Sequence, residues 1–308
     1  MAPAADKKLT GLVAATFTPL TTQGEINLTE IGRYVDYLTE KQGVRSIFVN
    51  GTTGESMSLS VAERKMLAEE WCQKKEKLYS MTVYSHKESS FRSSPSLQAC
   101  HAAKIGADGI AVVAPSFFKP TSAEALKMFL HEVALVAPTL PFYYYHIPSV
   151  TGVNVLASDL LEGIEELILS FRGVKFSGSD LMDFGRCVSS SQQHWSVLYG
   201  VDEQLLGALV LGAHGAVGST YNYIGCQVNK LILAYEKGDI TQARDIQFKM
   251  QEFLSYAKNL GFDLSMNKQL MSEVSGLSLG PPRLPLTPSP PAKVLCIVQK
   301  CYSIFPNC

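Results

Sequence analysis

Lys175 sits in the run Arg172-Gly173-Val174-Lys175-Phe176-Ser177, where two apolar neighbours flank a side chain that normally seeks water. A short apolar run bounded by Gly and Ser reads as a buried strand. Burying an ammonium is costly, so such a setting favours the neutral amine, a nucleophile toward carbonyl carbon and the start of Schiff-base chemistry. The same run also suits a strand-end lysine that snorkels to solvent or pairs with a carboxylate. Four further sets carry polar groups that such chemistry would use. Gly51-Thr52-Thr53-Gly54-Glu55 offers backbone N–H groups and two hydroxyls to a small anion such as a carboxylate, and it lacks the Gly-Lys-Ser/Thr ending of a P-loop. It is equally a tight loop capping the next helix. In Tyr143-Tyr144-Tyr145-His146, alternation puts Tyr143 and Tyr145 on one strand face, with Tyr145 nearer the strand end. Tyrosines there serve as proton-transfer groups or as core aromatics. Ser177, Gly200-Val201-Asp202-Glu203 and Ser219 add hydroxyls and carboxylates, although Asp202 and Glu203 also suit the charged start of a helix. His146 has no second ligand at metal-like spacing, so no metal site is expected, and His101 and His214 read as surface or packing residues.

The elements that must position these groups alternate along two thirds of the chain. Strand signals fall at Leu12–Phe17, Ile47–Asn50, Met81–Tyr84, Gly109–Ala114, Phe142–Tyr145, Val174–Phe176, Val197–Tyr199 and Ala216–Gly218. Amphipathic segments between them span 28–42, 61–77, 96–105, 123–137, 157–166, 181–190 and 203–211. Eight strands with seven intervening helices predict an α/β fold of the (β/α)8 TIM-barrel type over residues 1–220. An open doubly wound sheet competes, but no Gly-x-Gly-x-x-Gly follows the first strand. All five polar sets fall where strands end, and therefore on one face of such a barrel. Residues 221–285 then read as a C-terminal helical extension, with helices at 226–236, 241–260 and 267–274. Residues 286–308 form a divergent Pro-rich tail, expected to be poorly ordered because proline cannot continue a helix.

Composition narrows the class. A chain of 308 residues buries a sizeable core. Its hydrophobic content of 46% and charged content of 18% fit a soluble globular protein. A formal net charge of -1 gives no electrostatic case for nucleic acid or an anionic membrane. The N-terminus lacks the apolar core of a signal peptide, and no run reaches the roughly 18 apolar residues of a spanning helix. Seven scattered cysteines, never spaced Cys-x-x-Cys, suit reduced thiols. A cytoplasmic location is the expectation.

With Gly51-Thr52-Thr53-Gly54-Glu55, Tyr145-His146-Ile147-Pro148 and Gly173-Val174-Lys175-Phe176-Ser177 in place, the chain from about Leu9 to Leu286 resembles the N-acetylneuraminate lyases. These belong to the class I aldolase superfamily that includes the dihydrodipicolinate synthases. The vertebrate enzymes, with Pro-Phe-Tyr-Tyr-Tyr-His-Ile-Pro, look most alike. The resemblance implies a Schiff base on Lys175, proton transfer by Tyr145, and carboxylate binding by Thr52 and Thr53. It implies sugar-hydroxyl binding by Ser177, Gly200, Asp202, Glu203 and Ser219, and cleavage of N-acetylneuraminate to N-acetylmannosamine and pyruvate. No metal or cofactor is implied, and the family commonly forms homotetramers. Dihydrodipicolinate synthases carry an arginine two residues after the motif's proline, where Val150 stands here. A valine cannot pair with a second carboxylate.

Three departures from the family pattern stand out. Lys77–Cys100 reads KLYSMTVYSHKESSFRSSPSLQAC, with only a weak third strand and Pro95 at the following helix start. The tail after Leu286 diverges. Ser56, His214 and Gly178 replace a Gly, a small residue and an acid. Two alternatives to an active lyase follow: a catalytically impaired splice-type variant that acts only by assembling with active subunits, or an aldolase for another 2-keto sugar acid.

Overall fold

The computed structural model describes residues 8–74, 78–84 and 94–306. Its strands are β1 (Gly11–Ala15), β2 (Ser46–Val49), β3 (Tyr79–Tyr84), β4 (Gly109–Val113), β5 (Phe142–His146), β6 (Phe171–Phe176), β7 (Ser196–Tyr199) and β8 (Gly215–Gly218). All are parallel, each pairs with the next, and β8 returns to β1, so the sheet is a closed barrel without an edge. The seven crossovers hold α1 (Ile31–Asp36), α2 (Val61–Cys72), α3 (Ser94–Ile105), α4 (Ala123–Ala134), α5 (Pro148–Thr151), α6 (Ala157–Leu161), α7 (Ile164–Leu167), α8 (Leu181–Ser189) and α9 (Leu205–Val210). The (β/α)8 expectation is met.

The altered third strand does not open the barrel. Tyr79 to Thr82 pair with Ser46 to Val49 on one side, and Met81 to Tyr84 pair with Gly109 to Val112 on the other. Part of the departing segment, residues 77 and 85–93, lies outside the described residues. Other differences are local. The expected helix at 157–166 is two short helices, broken at Gly163, whose φ of 68° is a left-handed conformation that suits glycine. Strand β6 starts three residues before the expected Val174–Phe176 strand. There Arg172 spends its guanidinium on the carbonyls of Leu169 and Phe171, which masks the strand pattern.

Period-two alternation sorts the side chains into separate cores. Inside the barrel, Val13, Phe48, Met81, Tyr143, Tyr145, Leu198 and Val217 pack together. Outside, Tyr144, Val174 and Phe176 face the helices of the β4–β7 side. A third cluster joins β1 and β2 to α1 and to the extension: α10 (Tyr221–Glu236), α11 (Ile240–Asn259), α12 (Leu264–Ser275) and α13 (Pro291–Ile304).

Helix α13 corrects the expectation of a poorly ordered tail. No proline interrupts the helix: Pro288 and Pro290 precede it, Pro306 follows it, and Pro291 occupies its first turn, where the missing N–H costs nothing. Val294, Ile297, Cys301 and Phe305 then recur at helical spacing and bury against the extension.

Candidate active site

Lys175 lies on β6, one ladder rung from Tyr145 on β5. The ordinary strand separation of about 4.8 Å therefore brings their side chains together. Lys175 is 5% exposed, and its Nζ sits 4.0 Å from the centre of the Tyr145 ring and 4.1 Å from that of Phe48. No described residue gives it a hydrogen bond or ion pair, which removes both the snorkelling and the carboxylate-paired readings. Phe48 and Tyr145 meet edge to face at 5.4 Å and fix the slot in which the amine stands. The Tyr145 hydroxyl points on to the Thr52 Oγ1, 3.4 Å away.

Thr52 and Thr53 ride on the turn after β2. Gly54 N donates to Gly51 O, Glu55 N to Thr52 O, and the Thr18 hydroxyl to Gly54 O at 2.6 Å. Thr52 is exposed toward the opening and Thr53 is buried. Glu55 takes a left-handed conformation (φ 53°), and its carboxylate turns away from the opening.

On the opposite wall, Gly200 lets the chain pass against Ser177: a Cβ there would stand 2.1 Å from the Ser177 Oγ. Gly218 does the same for Asp202, with a Cβ position 2.0 Å from Oδ1. Asp202 is buried, and its Oδ2 accepts the Thr220 hydroxyl at 2.6 Å and the Thr220 N–H at 3.0 Å. Burial pushes its carboxyl above the usual range, while the Thr220 bonds pull it back. Asp202 thus joins the β7 and β8 ends instead of capping a helix. Glu203 is partly exposed and pairs with Lys258 of α11 at 2.6 Å. The Ser219 hydroxyl accepts a hydrogen bond from Asn267 Nδ2 of α12 at 3.0 Å.

All nine residues singled out from the sequence, Thr52, Thr53, Tyr145, Lys175, Ser177, Gly200, Asp202, Glu203 and Ser219, line one cavity of about 370 Å³ at the strands' C-terminal ends. That volume lies within the roughly 300–1,000 Å³ of small-molecule sites. Sequence reasoning missed Ser149, Thr220, Leu254, Lys258 and Phe262, which also line it. Thr220 adjoined a chosen residue, but the last three come from the helical extension, where no local motif marks them. His146 points to the helix side, beside Phe176 and Tyr144, and burial lowers its pKa to about 4. It is a neutral packing residue, and no cluster of three or more potential metal ligands occurs among the described residues.

A closed barrel with a buried, unpaired lysine on β6 beside a strand-end tyrosine defines the class to which comparison then gives a family. Residues 8–294 match the dihydrodipicolinate synthetase family, and the chain belongs to it. Within that family, it is 61% identical over 299 residues to N-acetylneuraminate lyase of Danio rerio, covering 96% of this chain and 97% of that one. Among solved structures, Proteus mirabilis N-acetylneuraminate lyase superposes with a TM-score of 0.90 at 30% identity, covering 97% of this chain and 99% of that one. The catalytic-lysine mutant of Ruminococcus gnavus sialic acid aldolase superposes with a TM-score of 0.88 at 26% identity, covering 96% of each. Among the described residues, no helix is long and apolar enough to cross a membrane.

Proposed function

We propose that this chain is an N-acetylneuraminate lyase, cleaving the open-chain sugar acid to N-acetylmannosamine and pyruvate through an imine on Lys175. The observation that carries the proposal is the buried Lys175 amine, free of any ion pair and set against Tyr145 in the cavity. The amine adds to C2 of the substrate and water leaves, giving an iminium. Tyr145 accepts the C4 hydroxyl proton, the C3–C4 bond breaks, and its electrons flow into the iminium to form an enamine. Protonation at C3 and hydrolysis release pyruvate and restore the lysine. Thr52 and Thr53 hold the substrate carboxylate. Ser177, Gly200, Asp202, Glu203 and Ser219 hold the hydroxyls of the sugar chain, for which hydroxyl and carboxylate partners are suited.

The high identity to the Danio rerio lyase and the Ruminococcus gnavus aldolase's catalytic lysine support the reading. Val150 argues against a dihydrodipicolinate synthase. It is 61% exposed on α5 and offers no charge to a second carboxylate. The closed β3 ladder argues against the impaired-variant alternative. The test is turnover of N-acetylneuraminate by the purified chain, with pyruvate and N-acetylmannosamine formed in equal amounts. Stronger turnover of a different 2-keto sugar acid would replace the substrate but keep the aldolase. We further propose a cytosolic homotetramer, as the family resemblance implies. The almost fully exposed Phe117–Phe118 pair on the loop before α4 supports an assembled form, and light scattering after gel filtration tests it.

A further inference from the structure

Lys268 is a second fully buried lysine, placed outside the cavity. Its Nζ donates to Glu55 Oε1 at 2.7 Å, and each side chain of the pair is 1% exposed. The other Glu55 oxygen accepts the Arg283 backbone N–H at 3.0 Å, and Lys268 also reaches Pro281 O at 3.3 Å. The turn that carries Thr52 and Thr53 is therefore held from behind by the extension through a doubly occupied carboxylate. One residue earlier on α12, Asn267 Nδ2 donates to the hydroxyl of Ser219 after β8, on the other side of β1 from the Thr52–Thr53 turn. Because the Ser219 oxygen is accepting there, its proton is directed elsewhere, and the cavity is the space it lines.

We propose that Asn267 and Lys268 are positioning residues: Lys268, through Glu55, sets the Thr52–Thr53 turn that grips the substrate's carboxylate, and Asn267 makes Ser219 a hydrogen-bond donor toward the sugar chain. The proposal rests on the lyase reading above. Its physical basis is that a buried ion pair is rigid once formed. Removing one partner strands the other charge, so the geometry of the pair is enforced on whatever loop it holds. Adjacent residues of α12 thus hold both grips, and the helix fixes the distance between them, a job that neither loop can do alone.

The test is steady-state kinetics in the condensation direction, with pyruvate and N-acetylmannosamine varied separately. KM is read because it does not depend on the active fraction of the preparation. Lys268→Met raises KM for pyruvate about tenfold or more, with little change for the sugar. Since that variant strands Glu55 and can fail to fold, the double variant Glu55→Gln/Lys268→Met, which buries no charge, is measured beside it and shows the same KM rise. Asn267→Asp, which can accept but not donate, reverses the bond to Ser219. It raises KM for the sugar several-fold and leaves that for pyruvate within twofold. Folded variants with unchanged KM for both substrates, or lower melting temperature alone, overturn the positioning role. Failure of the wild-type chain to condense the pair refutes the lyase reading instead, which keeps the two outcomes apart.

Discussion

Replacing Lys175 by arginine keeps a long basic side chain on β6 but removes the amine that can form an imine. Turnover should fall by at least about 10³-fold, since the covalent route is lost while binding groups remain. Melting temperature should change little, because no described partner is stranded. Tyr145→Phe separates the two steps. Borohydride trapping of pyruvate should persist, while kcat for cleavage falls about 10²- to 10⁴-fold, the usual contribution of a positioned proton-transfer group. Equal loss of trapping and turnover would place Tyr145 in imine formation and not only in C–C cleavage. The residues at this scale were legible in the sequence because chemistry demands unusual neighbours: a lysine between Val174 and Phe176, and paired threonines inside a Gly-bounded turn. Residues that merely support them were not. Asn267, Lys268 and Lys258 are ordinary polar side chains on amphipathic helices, and only the fold reveals what they touch.

Among the elements, β6 depends on Gly173, whose φ of 140° excludes other residues and whose Cβ position would fall 1.9 Å from the Ser196 carbonyl on β7. Gly173→Ala should therefore disrupt the β6–β7 ladder two residues from Lys175. We expect a loss of more than about 3 kcal/mol in denaturant unfolding, together with loss of activity. The eight strands were readable from period and spacing, and most starts fell within a residue, but β3 and β6 begin two and three residues earlier than their apolar signals, because register is set by neighbours across the ladder. The tail shows the complementary limit. Its proline content suggested disorder, yet Pro288, Pro290 and Pro291 lie at or before the first turn of α13, Pro306 lies beyond its end, and the apolar spacing between is helical. Ile297→Ala, at a fully buried position on that helix, should cost about 2–5 kcal/mol. A change below 0.5 kcal/mol would mean that α13 adds nothing to the barrel.

For the whole molecule, acid stability should fall in two stages. His146 binds its proton at about 4 in the folded state against 6.5 for the free side chain, because burial disfavours the charge. Between those values the unfolded chain takes up the proton first, so stability declines as pH drops from about 6.5 to 4. Glu63 is held at about 2 against 4.5, chiefly by hydrogen bonds from Arg283, so its contribution is present above 4.5 and is lost as pH falls toward 2. His146→Phe, which keeps a ring beside Phe176, should flatten the first stage and leave the second. An unchanged profile would contradict the assignment of a neutral buried His146. Arg283 also ties the tail-side segment to α2, so the second stage should loosen the extension before the barrel.

The most direct test of the central claim is borohydride reduction of the wild-type chain with pyruvate, followed by peptide mass mapping. The amine exposed to the cavity is Lys175, whereas Lys268 is equally buried but occupied by Glu55. The expected result is one reduced pyruvate adduct, on the peptide carrying Lys175. Folded protein with no adduct, or with its adduct on Lys268 or a surface lysine, would contradict the Schiff-base mechanism.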